Sequence, residues 1–582
     1  MCKRCLGAAF GHPAEPVFFR LKFIGTHDRY ILCRRAAISA CTQTFFQSNI
    51  PRRSYPAREN CRILVMSTSI YKTTAQVTVF STIEKTLSFI YRIVLSRLIG
   101  AEGLGIYQIA LSVFSVFLTV SSSGVPVTVS RLITKQNALG NTAGKNAVVT
   151  AGIVSTLIFT LPICILIFCL RDYFGFLFSD GRCLEVFLII LPGLILTSVY
   201  AVMRGAFWGD RQFMPYSLIE LAEDGLMVVL GSILVAGAAD AADGARLAGI
   251  AVFVSYVFSF AVSLIWYFKK GGKLVNPSKQ LRPLLSSSLP ITAMRTSSSL
   301  LNSLVAVLMP FLLVKMCGMS DSEAVALYGV AAGMAVPILF IHSSLIGSIA
   351  VVLAPELSEN FYKNRTELLR ADVEKSLRAA VAIAFALIPF LFALGGTVGE
   401  VLFSDALSGE IVHNCCLILV PMCLSMITGT VLNSMNREKS TLVYYFFGAA
   451  AMLACLASLT PVIGVYSYVA GQAASFVITA ALNMRLLKKL CPRVKVFGYS
   501  LRCAAACALC CAFGRVLMGL IKNYMPPLAC LIVAALAVAA FAAAAFLAAG
   551  AYSPEPAINF LKTKLFKRPK KKRAGSAVQI QK

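Results

Sequence analysis

Long apolar runs, separated by short polar loops, fill the chain from Thr74 to Gly550. Each run reaches about 20 residues, the length that a helix needs to cross a hydrocarbon core of about 30 Å. The pattern therefore predicts about fourteen membrane-spanning helices, called spans one to fourteen. Their predicted extents are 74–98, 105–132, 146–170, 184–203, 213–238, 247–268, 287–314, 325–352, 376–394, 411–433, 441–460, 464–486, 499–521 and 527–550.

The loops between these runs alternate in charge. The loops of one set carry the cations Arg131, Lys135, Lys145; Arg204, Arg211; Lys269, Lys270, Lys273, Lys279, Arg282; Lys363, Arg365, Arg370, Lys375, Arg378; Arg437, Lys439; and Arg485, Lys488, Lys489, Arg493, Lys495. The loops of the other set carry mainly the acids Glu102; Asp172, Asp180; Asp240, Asp243; Asp321, Glu323; and Glu400, Asp405, Glu410. Since Lys and Arg hold short loops in the cytoplasm, we expect a plasma-membrane protein with an even number of spans and both termini cytoplasmic.

The chain also repeats itself. The letters LFSD occur at 177–180 and again at 402–405, and each copy precedes an apolar run that ends in proline. The turn at 208–211 has a predicted counterpart at 435–438. Spans one to six thus match spans seven to twelve, which indicates two pseudo-symmetric six-helix lobes with a working site between them. We predict an all-α integral membrane protein in which spans thirteen and fourteen form an additional pair.

These boundaries divide the chain into five predicted segments. Residues 1–65 are a basic extension, either a disordered arm or an over-extended start upstream of Met66; 66–282 and 283–496 are the two lobes; 497–552 is the additional pair; and 553–582 is a basic cytoplasmic tail. The first segment lacks the apolar region and cleavage site of a secretory signal.

Composition excludes several classes of protein. The chain of 582 residues is 58% hydrophobic and 14% charged, which is too apolar for a soluble protein of this size. The net charge of +28 does not indicate nucleic-acid binding, because much of it lies in the two terminal segments and the rest mainly in short loops. Most of the 19 cysteines lie in apolar spans, and Cys2 and Cys5 lack the further ligands of a zinc site. We therefore expect no cofactor, no metal site and no nucleic-acid partner.

One stretch carries a family resemblance. Residues 89–108, FIYRIVLSRLIGAEGLGIYQ, together with 123–132, resemble the opening of the stage V sporulation protein B family. This family is a branch of the multidrug/oligosaccharidyl-lipid/polysaccharide exporter superfamily, which includes the lipid II flippases. The resemblance extends over the membrane region from Met66 to Gly550. It implies fourteen helices, two lobes arranged in a V, and export of lipid-linked sugars by alternating access.

The sequence departs from the family pattern at two positions. Cell-wall flippases carry an arginine midway in span one; Tyr91 aligns with it here, and Arg92 is its neighbour. Family members often have a Glu followed four residues later by Arg in span five, whereas Glu223 is followed by Met227. The departures leave open which arginine binds substrate, and they indicate a different ion pairing.

Charges inside the spans are the candidate functional residues, because a charge in the hydrocarbon core costs about 3 kcal/mol unless it faces a cavity or a partner. Lys85 and Arg92 lie seven residues apart, nearly on one face of span one, and Arg295 lies in span seven. We predict that these three cations bind the diphosphate of the substrate, with Arg92 and Arg295 facing the same cleft. Arg204, at the inner end of span four, is interpreted as a topological signal.

Acidic groups are the candidates for ion coupling. Glu220, Glu223 and Asp224 share one face of span five, where they will not all carry a charge in a low-dielectric site. We predict coupling to H⁺ or Na⁺, or resetting by the membrane potential, with Glu84 and His342 as further candidates. For the span-five acids the alternative is structural pairing with an arginine, and for His342 it is a packing role.

The favoured function is a flippase that exports a lipid-linked oligosaccharide or peptidoglycan precursor, in spore or cell-wall polysaccharide synthesis. Its partners would be that lipid-linked sugar and the surrounding membrane lipids, and we expect a monomer. The alternative is an ion-coupled multidrug antiporter of the same superfamily. A membrane-embedded sugar-lipid enzyme is disfavoured, since no constellation of catalytic residues can be assembled from the sequence.

Overall fold

The computed structural model describes the backbone of residues 56–175, 178, 180–492 and 494–550. Side chains are described from residue 79 onward, except at positions 290, 294, 344, 348, 351, 352 and 355. Most of the predicted basic extension, the predicted tail and two letters of the first LFSD copy therefore lie outside the described residues. The chain divides into two units, Met1–Lys72 and Thr73–Lys582. The described residues of the first unit are helical.

The described part of the chain is helical, without strands, which confirms the predicted all-α class. In the first lobe the helices are Pro56–Ser122, Val125–Ala138, Thr142–Cys169, Arg171–Phe174, Gly181–Ile190, Gly193–Gly209, Phe213–Val235 and Ala241–Lys269. In the second lobe they are Ser278–Cys317, Asp321–Tyr328, the π-helix Gly329–Ala335, Val336–Phe340, Ser343–Tyr362, Thr366–Phe403, Ala406–Cys415, the 3₁₀-helix Cys416–Ile418, Leu419–Ser434, Glu438–Ile463 and Tyr466–Leu490. The additional pair is Phe497–Ile521 and Pro527–Ala548.

Ten of the described helices are long and apolar enough to cross a membrane, or eleven if the bent pair Gly181–Ile190 and Gly193–Gly209 is one span. The protein is therefore a multi-pass membrane protein. The longest of the ten, Val79–Ala138, contains Gly100 at φ 68° and ψ −172°, where the helix path breaks. This break lies between predicted spans one and two. The figure of fourteen spans stays a prediction.

The internal repeat is visible in matching helix ends. Asp180 and Asp405, the last residues of the two LFSD copies, are both helix N-caps with nearly identical backbone angles. The carboxylate of Asp180 accepts the N–H of Arg182 at 2.9 Å, and that of Asp405 accepts the N–H of Ser408 at 2.6 Å. Each therefore satisfies one of the free N–H groups that every helix start exposes. They are equivalent structural corners.

A second pair of matching turns shows the spacing of the repeat. Arg211 and Asn436 both have positive φ, 58° and 59°, which ends a helix in the left-handed conformation. The N–H of Gln212 donates to the carbonyl of Phe207, as Arg437 N–H does to Leu432. Both pairs lie 225 residues apart, as the two aspartates do. The turn at 208–211 thus corresponds to 433–436, so the predicted counterpart at 435–438 is displaced by two residues.

The two lobes touch closely at the end of the bundle where span two begins. A Cβ atom at Gly105 would overlap the carbonyl oxygen of Val325, and one at Gly329 would overlap that of Ala101. Beside them the hydroxyl of Ser322 donates to Glu102, which also accepts Arg182 at 2.7 Å. Glycine is needed at both positions because any side chain would push the backbones apart. We call this contact the glycine seal.

Candidate functional site

Span one carries three of the predicted site residues and separates two cavities. The first cavity, of about 590 Å³, lies between spans one and eight, and is called the lobe-interface cavity. Glu84, Lys85 and Arg92 line it from span one. Pro337 and Ser343 line it from span eight. The structure thus brings both predicted cations of span one to a single space between the lobes.

Arg92, and not Tyr91, lines this cavity. Tyr91 is 2% exposed, and its ring packs edge-on against Tyr107 at 6.5 Å between ring centres. A Cβ atom at Gly231 would overlap the Tyr91 hydroxyl, so Tyr91 points into the first lobe. Arg92 lies within electrostatic range of the phenols of Tyr107, Tyr328 and Tyr468. Arg92 therefore lies between tyrosines of both lobes and lines the cavity between them.

Span eight faces Arg92 with an irregular helix. Its π-helix Gly329–Ala335 and the following helix Val336–Phe340 supply lining residues, and the helix breaks before Ser343. π-helical turns and helix breaks often occur at functional sites. His342 lies in the break and is 2% exposed. It is not among the residues that line the cavity, although Ile341 and Ser343 on either side are.

The second cavity, of about 390 Å³, is lined mainly by the first lobe and is called the N-lobe cavity. The charged residues that line it are Glu84, Arg204, Glu220, Glu223, Asp224 and Arg295. Four carboxyl groups thus face two guanidinium groups. The predicted acids of spans one and five do share one space, and Glu84 lines both cavities. The two cavities are therefore neighbours that share Glu84 as a lining residue.

Arg204 is the site residue that the sequence interpretation missed. Its Nη1 lies 3.4 Å from Glu220 Oε1, and its guanidinium lies 5.6 Å from the centre of the Trp208 ring. The buried Nε has no hydrogen-bond partner in the described part of the chain. The loop assignment concealed this role, because the helix continues to Gly209, more than a full turn beyond Arg204. Span five thus pairs, through Glu220, with an arginine near the end of the preceding helix.

Arg295 enters the N-lobe cavity from the second lobe. Its Nη1 donates to the carbonyl oxygen of Ser123 at 2.9 Å. Ser123 lies at a break in span two, between helices that end at Ser122 and begin at Val125. At the same break the N–H of Gly124 donates to the hydroxyl of Thr292 at 3.1 Å. Arg295 therefore satisfies a carbonyl that the helix break leaves free, and it crosses between lobes to do so.

Arg92 and Arg295 do not line the same cavity, and helix geometry gives the reason. Arg92 lies eight residues before the turn at Gly100, whereas Arg295 lies twenty-three residues before Gly318, which ends its own helix at the same end of the bundle. At about 1.5 Å per residue these separations are about 12 Å and about 35 Å. The two arginines thus lie at different depths, although their spans are repeat mates. Among the described residues, no group of three or more His, Cys, Asp and Glu is arranged to hold a metal ion.

Comparison with known proteins identifies a family and two relatives that this chain resembles. The family model described as "Polysaccharide biosynthesis protein" matches residues 70–361. Stage V sporulation protein B of Bacillus subtilis (strain 168) is 22% identical over 464 residues, which is 76% of this chain and 87% of that protein. Lipid II flippase MurJ of the same organism is 20% identical over 430 residues, covering 67% and 77%.

Solved structures share the fold. An inward-facing conformation of a multidrug resistance MATE family transporter of the MOP superfamily matches with a TM-score of 0.59 and 17% identity, over 71% of this chain and 95% of that one. A MOP superfamily transporter from Pyrococcus furiosus Vc1, described as having a binding pocket of reversed polarity, matches with a TM-score of 0.53, 17% identity, and coverage of 72% and 96%. At these identities the likeness shows a common fold.

Proposed function

Because this chain belongs to the family of polysaccharide biosynthesis proteins, we propose that it is a flippase that exports a lipid-linked oligosaccharide or peptidoglycan precursor. The observation that carries the proposal is the lobe-interface cavity, where Arg92 and Lys85 lie between two lobes that the glycine seal closes at the other end. Relatives named as a sporulation protein and a lipid II flippase support this class of substrate.

The chemistry of the lobe-interface cavity suits an anionic head group. A diphosphate accepts charge-assisted hydrogen bonds from guanidinium and ammonium groups, which are about twice as strong as neutral ones. Arg92 supplies a planar fork of donors, and Lys85 lies two turns away along span one. The cavity has room for a diphosphate with its first sugar, while the isoprenoid tail stays in the lipid outside the lobes.

Alternating access follows from the position of the seal. The contact at Gly105 and Gly329 closes one end of the bundle, so we propose that substrate reaches Arg92 from the opposite end. We assign that opposite end to the cytoplasm of a plasma-membrane protein with both termini inside, because its loops carry the cations. Export then requires the seal to part and the other end to close around the same site. We propose that a monomer suffices, since both lobes of the cavity come from one chain.

The N-lobe cavity is the proposed coupling site. Its four carboxyl groups outnumber its two guanidinium groups, so an exchangeable cation would balance the site. Arg204 pairs with Glu220, whereas Glu223, Asp224 and Glu84 form no ion pair with any residue that the structure describes. These three acids are the candidates for taking up H⁺ or Na⁺. Since Glu84 also lines the lobe-interface cavity, a charge change there would act directly on Lys85 and Arg92.

The test is translocation of a fluorescent isoprenoid-diphosphate sugar in proteoliposomes that contain the full chain. Loss of a hydrogen bond to a charged group costs about 1.5–3 kcal/mol, so Arg92→Gln should slow translocation about 10- to 150-fold. The matched control is Arg246→Gln, which removes an exposed arginine paired with Glu185 outside both cavities. Wild-type rates in Arg92→Gln would overturn the proposed site.

A second experiment examines coupling and the antiporter alternative. The carboxyl-rich N-lobe cavity would equally suit a cation-coupled multidrug antiporter, so both substrates are assayed under imposed H⁺ and Na⁺ gradients. We expect one gradient to accelerate sugar translocation in the wild type and to have no effect in Glu223→Gln. Transport of a cationic drug, with no movement of the lipid-linked sugar, would favour the antiporter.

A further inference from the structure

A third cavity, of about 480 Å³, lies away from both proposed sites and is lined by cations. Arg378 lines it from span nine, Lys495 from the segment between spans twelve and thirteen, and Arg502 from span thirteen. Phe497 and Tyr499, at the start of span thirteen, complete it. We call this the basic pocket. It joins the second lobe to the additional helix pair, and the proposed transport function does not use it.

The cations of the basic pocket are held in place. Glu374 accepts the backbone N–H of Lys495 at 2.9 Å and Arg378 Nη2 at 3.2 Å. Arg378 Nη2 also donates to the carbonyl of Lys495 at 3.3 Å, and the guanidinium lies 5.7 Å from the centre of the Tyr499 ring. Glu374 is 17% exposed and Arg378 45%, so the arginine is the more accessible member of the pair. The pocket thus keeps an excess of positive charge on a preorganised frame.

The first turn of span thirteen adds to this charge. The helix begins at Phe497, and no side chain caps it. Its first N–H groups lack helical acceptors and form the positive end of the helix dipole. Arg502 Nε donates to the carbonyl of Gly498 at 3.4 Å, which directs the guanidinium back toward that turn. An anion in the basic pocket would therefore meet three cationic side chains and a helix start.

The surroundings of the basic pocket are those of a membrane surface. Phe497 is 83% exposed and Leu501 63%, and both belong to a helix long and apolar enough to span the bilayer. The pocket lies at the end of that helix, where the hydrocarbon core meets the head groups. An occupant must therefore place an anionic group against the cations and an apolar chain beside Phe497 and Leu501. Such basic pockets between helices suit anionic lipid head groups.

We propose that the basic pocket binds the phosphate of an anionic phospholipid, with its acyl chains along Phe497 and Leu501. Arg378 and Arg502 pair with the phosphate, and Lys495 closes the site from the connecting segment. Since these cations come from span nine, span thirteen and the segment before it, the bound lipid ties the additional pair to the second lobe.

The experiment measures thermal unfolding of the purified full chain in detergent during titration with phosphatidylglycerol, phosphatidylcholine or inorganic phosphate. A ligand that binds only the folded state raises Tm with its concentration. We expect phosphatidylglycerol to raise the Tm and the other two probes to leave it within error. In the Arg378→Gln/Arg502→Gln variant the apparent affinity for phosphatidylglycerol should fall at least tenfold.

Two further variants keep the outcome decisive. Arg502→Gln alone changes an exposed side chain that donates a hydrogen bond to Gly498 in its own helix. This variant should fold even if the double variant does not, and its affinity for phosphatidylglycerol should be at least threefold lower. The control Arg437→Gln/Lys439→Gln removes two exposed cations elsewhere at the same end of the bundle. Equal stabilisation by inorganic phosphate or phosphatidylcholine, or an equal loss of affinity in the control, overturns the proposal.

Discussion

Substitution of Gly329 by alanine tests the glycine seal. A Cβ atom there would overlap the carbonyl oxygen of Ala101 and crowd the backbone of Gly105, so the lobes must separate to accommodate it. Overpacking of this kind costs about 1–3 kcal/mol. The contact exists only while this end of the bundle is closed, so the cost falls on the closed state alone. The closed population should therefore drop about 5- to 150-fold relative to the open one.

Hydrogen–deuterium exchange, measured by mass spectrometry on the protein in nanodiscs, detects this shift in population. Backbone amides in 101–107 and 323–330 should exchange at least fivefold faster in Gly329→Ala than in the wild type, since opening exposes both segments. Gly105→Ala should act on the same contact through Val325, and the double variant should add little, because the first substitution already parts the backbones.

The matched control is Gly396→Ala. Gly396 lies inside the helix Thr366–Phe403, and a Cβ atom there would meet nothing within 4 Å. This variant should leave exchange at the seal unchanged and, by helix propensity, should stabilise the protein slightly. If Gly329→Ala exchanges like the control and translocates substrate at the wild-type rate, the seal is not part of the transport cycle and the proposed mechanism fails.

Three further predictions concern stability. Arg204→Gln should lower the free energy of unfolding by about 1–3 kcal/mol, because it leaves the Glu220 carboxylate without its cation; thermal unfolding should show partial rescue by Glu220→Gln, and an equal effect without rescue would mean that Arg204 acts through packing on Trp208 alone. Asp405→Ala should cost about 1 kcal/mol through loss of a helix N-cap, and Asp405→Asn much less. Asp180→Ala should cost more than Asp405→Ala in the same assay, since Asp180 also pairs with Arg182 at 2.6 Å; equal costs would contradict this.

The sequence predicted the helical membrane class well, because bilayer thickness imposes a length on every apolar run and leaves few alternatives. It also predicted the duplication. The matched N-caps at Asp180 and Asp405 show why: a helix cap depends on a few neighbouring residues, so the same short sequence occurs in both halves. The predicted pairing of the turn at 208–211 with 435–438 was wrong by two residues. The positive φ at Arg211 and Asn436 moves the match by two residues, because backbone conformation and not residue type defines that corner.

The site itself depended on tertiary structure. The free-energy cost of a charged side chain in the hydrocarbon core was enough to identify Glu84, Arg92, Glu223 and Arg295 as residues that need a cavity or a partner. It could not say which residues would share a cavity, because depth and rotation of a helix are determined by packing against its neighbours. Arg204 shows the same limit: its partner lies sixteen residues away on another helix, and only the fold brings Glu220 to 3.4 Å. The sequence by itself thus determined which residues carry charge into the membrane, and the packing of the lobes decided which of them meet.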